Sequence, residues 1–295
     1  MRCADAADAA GDPREGTAPP AEQWFLLEHA GPWGRIAYTQ SGLDAADVQA
    51  LTAWARRTRG RVLLVRRPGR VPRSDAPRRW FRIDSRRGRE EIRAGHALGP
   101  LTPDAPGERF DGPLHLVCTH GRHDTCCAVR GRPLAAVLNA THPGHVWECS
   151  HVGGCRFAAA LVLLPHGFTL AGLPPDKAPA VIDAYANGRL DPQWVRGRSV
   201  DPPVVQAAQH HARTALGALG VDALRPVSVT NTTHGQQVVL ADPDVTVLLH
   251  ERHTATGRPL TCASTEPGWM RTFDLVALHT TATSRPEDRD LPTIR

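Results

Sequence analysis

HLVCTHGRHDTCCAVRGRPLAAVLNATHPGHVWECSH, residues 115–151, is the stretch that decides the fold class. HLVCTH (115–120) has the bulky apolar run of a buried strand and closes on a cysteine. RPLAAVLNA (132–140) predicts a helix with Pro133 in its first turn, where the missing N–H is tolerated. HVWECSH (145–151) predicts a second strand. Strand, helix and strand in succession describe an α/β layer with strands of the parallel type.

Downstream, a Gly153-Gly154 turn leads into AALVLLPH, a buried strand, which pairs across His166-Gly167 with FTLAGL (168–173) as a hairpin. A helix follows over about 176–187, with Asp176 as N-cap, Pro179 in the first turn and Val181, Ile182 and Tyr185 as its apolar stripe. Gly188 ends it. The order β-α-β-β-β-α over 112–195 is that of a thioredoxin-like domain. Upstream, residues 22–97 hold WFLLEH (24–29), RVLLVR (61–66) and RWFRIDS (79–85) as strands. Helices are expected over about 44–59, capped by Asp44, and near 88–94. This unit has no cysteine and reads as a degenerate copy of the second. ALGPLTPDAPGERFD (98–112) is the connection between them. Beyond 196, Pro202-Pro203 opens a helix with stripe Val204, Val205, Ala208, Ala212, Ala215, Leu216 and Leu219, closed by Gly220. PVSVTN, QQVVLA and DVTVLLHERH then predict strands, and 196–280 reads as a helix with a β-rich appendage. The expected fold is α/β: two thioredoxin-like layered units and a small β-rich C-terminal region. Residues 1–21 and 281–295 show no apolar period and are expected to be disordered tails.

The 295 residues are 41% apolar and 22% charged, a globular composition that excludes a disordered chain, a collagen-like fibre or a coiled coil. No apolar run is long enough for a membrane-spanning helix, and MRCADAADAAGDPREG has no apolar core of a secretory signal. The expected location is cytoplasmic. The net charge is +5, carried almost wholly by arginine, with Lys177 the single lysine. The arginine-rich run 56–93 reads first as a solvated face and second as a dock for an acidic partner. Nucleic acid is not expected as a partner, because no reading motif or set of exposed aromatics accompanies the charge.

Five of the seven cysteines fall between 118 and 155: Cys118, Cys126, Cys127, Cys149 and Cys155. In a reducing compartment such clustering points to metal or redox chemistry rather than to a disulfide scaffold. CTHGRHDTCC (118–127) and CSHVGGC (149–155) stand at the C-terminal ends of the two expected strands, where open α/β sheets gather ligand-binding loops. Thiolate and imidazole suit zinc and iron–sulfur clusters, and not magnesium or calcium. There is no C-x2-C knuckle; the spacings are Cys118-x8-Cys127 and His151-x3-Cys155. The x8 segment reads as a loop folded over a metal group, and Gly153-Gly154 as a tight turn aiming two side chains at one metal. Cys126 is either one of a vicinal redox pair or a small buried residue. Cys149 reads as a core cysteine. His120 and His123 read as exposed loop histidines, with hydrogen bonding to ligands as their other role. Arg156 either offsets local negative charge or is solvated. Cys3 and Cys262 read as incidental.

Five stretches carry a family resemblance: GPWGR (31–35), RVLLVRRPGR (61–70), CTHGRHDTCCAVRGRPLA (118–135), VWECSHVGGCRFAAALVLLPHG (146–167) and RGRSVDPPVVQAAQ (196–209). Over about 22–275 the chain resembles the sucrase/ferredoxin-like family. The resemblance implies that the second unit is similar to thioredoxin-like 2Fe-2S ferredoxins. In eukaryotic members two cysteines and an H-x3-H pair hold the cluster. Those positions fall on Cys118, Cys127, His151 and Cys155, the last being a departure from histidine. The resemblance thus implies Cys155 as the fourth ligand, with Cys149 and Cys126 as competitors. A neutral histidine in place of a thiolate raises the potential, and a ligating His151 makes it pH-dependent. No carboxylate pair suits glycoside hydrolysis. The implied function is one-electron transfer or redox sensing with a reductase partner, rather than catalysis. The rival readings are a cluster-free thiol oxidoreductase using Cys126, Cys127 or Cys149, and a zinc-stabilised binding module.

Overall fold

The computed structural model describes residues 1–69 and 77–280. The tail expected over 281–295 and part of the arginine-rich run lie outside the described residues.

The first half contains α1 (Cys3–Ala9), β1 (Gln23–Glu28), α2 (Ala45–Arg57), β2 (Arg61–Arg66), β3 (Arg78–Asp84) and β4 (Glu91–Ala97). β1 and β2 are parallel, β3 runs antiparallel to β1, and β4 antiparallel to β3. A short β5 (Glu108–Arg109) edges β4. The second half contains β6 (Leu114–Cys118), α3 (Thr125–Thr141), β7 (Val146–Cys149), a 3-10 turn at Cys155–Phe157, β8 (Ala160–Leu164), β9 (Phe168–Ala171), α4 (Ala178–Ala186) and β10 (Val195–Arg198). β6 and β7 are parallel, β8 is antiparallel to β6, and β9 to β8. Both halves thus repeat one pattern, in which the first strand lies between the second and the third.

One expected helix is a strand. Residues 88–94 lead into β4, where buried Ile92 and Ala94 alternate with more exposed neighbours. That is the period of a strand. Gly95 leaves room for the Trp80 indole, which a Cβ there would meet at 2.5 Å.

Nor are the halves separate layered units. Among the described residues they form a single ten-stranded sheet, ordered β10-β9-β8-β6-β7-β2-β1-β3-β4-β5. The joint is an antiparallel pairing of β2 with β7, Val65 opposite Cys149 and Arg66 opposite Glu148. Helix α2 covers Phe25, Leu27 and Leu64 on one face of the first half, and α3 and α4 cover Val117, Val146, Leu161 and Leu163 of the second. The helix-free faces meet each other: Leu26, Phe81 and Ile83 share one core with Leu116, Trp147 and Val162. Two strands separate β3 from β7, which in a flat sheet puts them roughly 14 Å apart. The Phe81 and Trp147 ring centroids are only 5.4 Å apart, so the sheet curls around this core.

Residues 1–21 are not a disordered tail. α1 buries Cys3, Ala4, Ala6 and Ala7. Ion pairs from Arg130 to Asp5 and Asp8 hold it down. The segment after it is clasped by RGRSVDPPVVQAAQ: the Ala18 N–H donates to Gln206 Oε1 (3.0 Å), and Ser199 Oγ donates to the Ala21 carbonyl (2.7 Å). These contacts are long-range, so local composition does not signal them.

Helix α5 (Pro203–Leu216) packs on a second, four-stranded antiparallel sheet of β11 (Arg225–Thr232), β12 (Gly235–Ala241), β13 (Val245–Ala255) and β14 (Trp269–Thr280). Its end is at Gly217 (φ 65°) rather than Gly220. No helix among the described residues is long and apolar enough to cross a membrane.

Candidate metal centre

Cys118 ends β6 and lies in register with Cys149 at the end of β7. The helix that follows begins earlier than expected. Asp124 caps α3, its carboxylate accepting the Cys126 N–H at 2.9 Å. Cys126 and Cys127 therefore occupy the first helical turn rather than a loop, and Pro133 sits inside the helix. Successive helical residues point about 100° apart, so the two thiols diverge. Gly131 lets α3 press against β6: a Cβ there would lie 2.1 Å from the Cys118 carbonyl oxygen. This close approach brings Cys127 to Cys118. After β7 the chain turns through Gly153 (φ 118°) and Gly154 (φ 74°) into the 3-10 turn that presents Cys155. Only glycine adopts such φ values without strain.

The donor atoms of Cys118, Cys127 and His151 lie within 4.8 Å of one another, and so do those of His123, His151 and Cys155. His151 belongs to both sets. The Cys155 sulfur is 3.6 Å from His151 Nδ1, and the Cys127 sulfur is 4.0 Å from it. The Cys127 thiol, helped by His151, holds Cys118 well below the ordinary thiol range against the opposing effect of burial. The same partners bring Cys155 down to about 7. Burial opposes a charged His151, but Cys118 and Cys155 prevail and raise it to about 9. Cys118 and Cys155 are thus favoured as thiolates, while the Cys127 thiol, hydrogen-bonded to both, is pushed well up.

Two histidines brace this set from the loop 119–124. The His151 N–H donates to His120 Nδ1 (3.2 Å), which leaves the His120 proton on Nε2, donated to the Gly34 carbonyl (2.8 Å). His120 is 2% exposed, so it is not a surface histidine. His123 Nδ1 donates to the Arg35 carbonyl (3.1 Å), and its ring stacks on His151 at 3.6 Å. Trp33 meets His120 edge-on. The GPWGR segment of the first half thus closes over the second half's ligand loop.

Three guanidinium groups supply positive charge. Arg61 donates to the Val152 carbonyl (2.8 Å) and Arg196 to the Gly153 carbonyl (2.9 Å). Burial, then the neighbouring Arg156 and Arg61, pull Arg196 down to about 9, against the pull of Cys155 and Cys118. Arg156 is not solvated; its side chain is 13% exposed and pairs with Asp12 at 3.3 Å. Gly154 makes room for Arg196, whose Nη2 would lie 2.5 Å from a Cβ there.

The competitors stand elsewhere. Cys149 is buried beside Cys118, with its thiol raised by burial and by Cys118, and it joins neither donor set. The Cys126 sulfur turns toward Cys3 and Cys262, at 3.6 and 3.4 Å. All seven cysteines are free thiols. Sequence reasoning missed Arg61 and Arg196 as neighbours of the site, because their proximity comes from tertiary packing alone. It also missed that Cys3 and Cys262 come together.

Residues 15–197 match a family model described as Sucrase/ferredoxin-like. No curated protein and no solved structure matches the chain.

Proposed function

The chain belongs to the sucrase/ferredoxin-like family, and we propose that it is a 2Fe-2S redox protein acting as a one-electron carrier or redox sensor. The observation that carries this reading is the convergence of the Cys118, Cys127, His151 and Cys155 donors in a pocket lined by Arg61, Arg156 and Arg196. Soft sulfur and imidazole donors fit iron–sulfur ligation, and the guanidinium groups offset the negative charge such a ligand set accumulates. When bound there, a 2Fe-2S cluster supplies reversible one-electron chemistry. Cys118, Cys127 and Cys155 hold one side of the site in the protein interior and exclude water. His151, half-buried, holds the outer side and is oriented by the bond from its own N–H to His120.

The second half is, on this reading, a thioredoxin-like ferredoxin domain and the first half its cysteine-free copy, which contributes the loop over the mouth. Electrons enter and leave at the half-buried His151 and His123. Exposed Arg35 and Arg122 flank that edge, which suits a reductase with an acidic docking face. Seven free thiols fit a reducing compartment such as the cytoplasm.

Three variants test the ligand set. Cys155→Ser is expected to lose the visible absorption of protein purified without air, while Cys149→Ser keeps it. His151→Cys replaces a neutral ligand by an anionic one and is expected to lower the reduction potential, measured by redox titration. A potential unchanged in His151→Cys, or a colour lost with Cys149 instead of Cys155, contradicts the assignment.

A further inference from the structure

A second set of donors lies beside the first. Cys126 meets Cys3 of α1 and Cys262 of the loop between β13 and β14. Their sulfurs form a nearly equilateral triangle: 3.6 Å from Cys3 to Cys126, 3.4 Å from Cys126 to Cys262 and 3.5 Å from Cys262 to Cys3. The carboxylate oxygens of Asp124 lie 3.6 and 3.7 Å from the Cys3 sulfur. One donor atom from each of the four residues lies within 4.8 Å of the other three.

We infer that Cys3, Cys126, Cys262 and Asp124 hold one structural zinc ion. Tetrahedral zinc, with bonds of about 2.3 Å to sulfur and about 2.0–2.2 Å to oxygen, sets sulfurs about 3.8 Å apart and sulfur about 3.5 Å from oxygen. The observed triangle is only slightly tighter than that. A disulfide brings two sulfurs to about 2.05 Å and leaves the third without a partner, whereas here three contacts are alike. The carboxylate is positioned as a ligand. Its Oδ1 accepts the Cys126 N–H (2.9 Å) and its Oδ2 the Cys262 N–H (2.8 Å), so each oxygen keeps a second lone pair for a metal. The Cys3 N–H donates to the Cys262 sulfur at 3.4 Å. Such backbone bonds orient ligands and stabilise thiolate charge. Four protein donors leave no open position, which marks a structural rather than a catalytic site.

The ligands come from α1, the first turn of α3 and the β13–β14 loop. Cys3 and Cys262 fall outside the family-matched residues 15–197, and Asp124 and Cys126 fall inside them. Zinc there pins α1, which packs on the 3-10 turn bearing Cys155, and ties the second sheet to the first. The site shares no ligand with the Cys118 set.

The test is elemental analysis and zinc-edge X-ray absorption on the full chain, purified without air or chelator and supplied with zinc. The expected result is one zinc per chain in a shell of three sulfurs and one oxygen. Zinc content falls about tenfold or more in Cys3→Ser and in Cys262→Ser, while iron content is kept. Wild-type spectroscopy decides the matter even where a variant folds poorly. Absence of zinc from the supplemented wild-type chain, a different first shell, full zinc retention in both folded variants, or a disulfide among the three cysteines overturns the inference.

Discussion

His115 sits on β6 but on the sheet face opposite Cys118, 2% exposed and packed beside His142 and Tyr185. Burial, with His142 and His145 adding to it, pulls its imidazole down to about 3. An unfolded imidazole titrates near 6.5. The folded chain therefore resists a proton that the unfolded chain accepts. His115 contributes its full stability above about pH 6.5 and loses it as the pH falls toward 3. Between pH 7 and 5 the loss from this residue is about 2 kcal/mol. Urea unfolding at both values checks this: His115→Phe is expected to flatten the pH dependence by that amount, and identical slopes for variant and wild type contradict it. At the same scale, the convergence of Cys118, Cys127, His151 and Cys155 was legible through the family resemblance, which short local motifs carry. The separation of Cys126 from Cys127 was not. It depends on where α3 begins, and Pro133 suggested a start seven residues too late.

Helix α3 shows what an element adds. The Asp124 cap starts it at Thr125, and Gly131 seats it against the Cys118 carbonyl. Gly131→Ala puts a methyl group where backbone already stands, so the helix must move off β6. The expected cost is about 1–3 kcal/mol of stability. Iron content is expected to fall as well, since Cys127 is carried away from Cys118. Denaturation midpoints and iron analysis check both, and an unchanged pair of values contradicts this account of the helix. Strands β1, β2, β3 and β6 were readable from their apolar runs. β4 was not, because its buried positions are Ile92 and Ala94, set among Glu91, Arg93 and Gly95.

The topology of the whole molecule rests on pairings that no local pattern announces. β2 and β7 are about eighty residues apart in sequence, and their antiparallel joint merges two similar halves into one sheet. The helix-free faces then share a core through Phe81 and Trp147. Because neither half buries that face alone, the two are expected to unfold in a single transition. Phe81→Ala, a change in the first half, is expected to cost about 3–5 kcal/mol. It should lower hydrogen-exchange protection in β6 and β8 of the second half as much as in β1. Protection kept in the second half alone contradicts a shared core. The N-terminal segment escaped sequence reading for a related reason: short alanine-rich stretches carry no period, and their burial depends on Arg130, Gln206 and Ser199 far along the chain.

The assembled chain is most directly tested by counting iron and acid-labile sulfide in protein purified without air. About two of each per chain are expected in the wild type, with both lost in Cys118→Ala and in Cys127→Ala. A wild-type chain without iron, or one whose iron and sulfide survive both substitutions, contradicts the assignment of this site to a 2Fe-2S cluster.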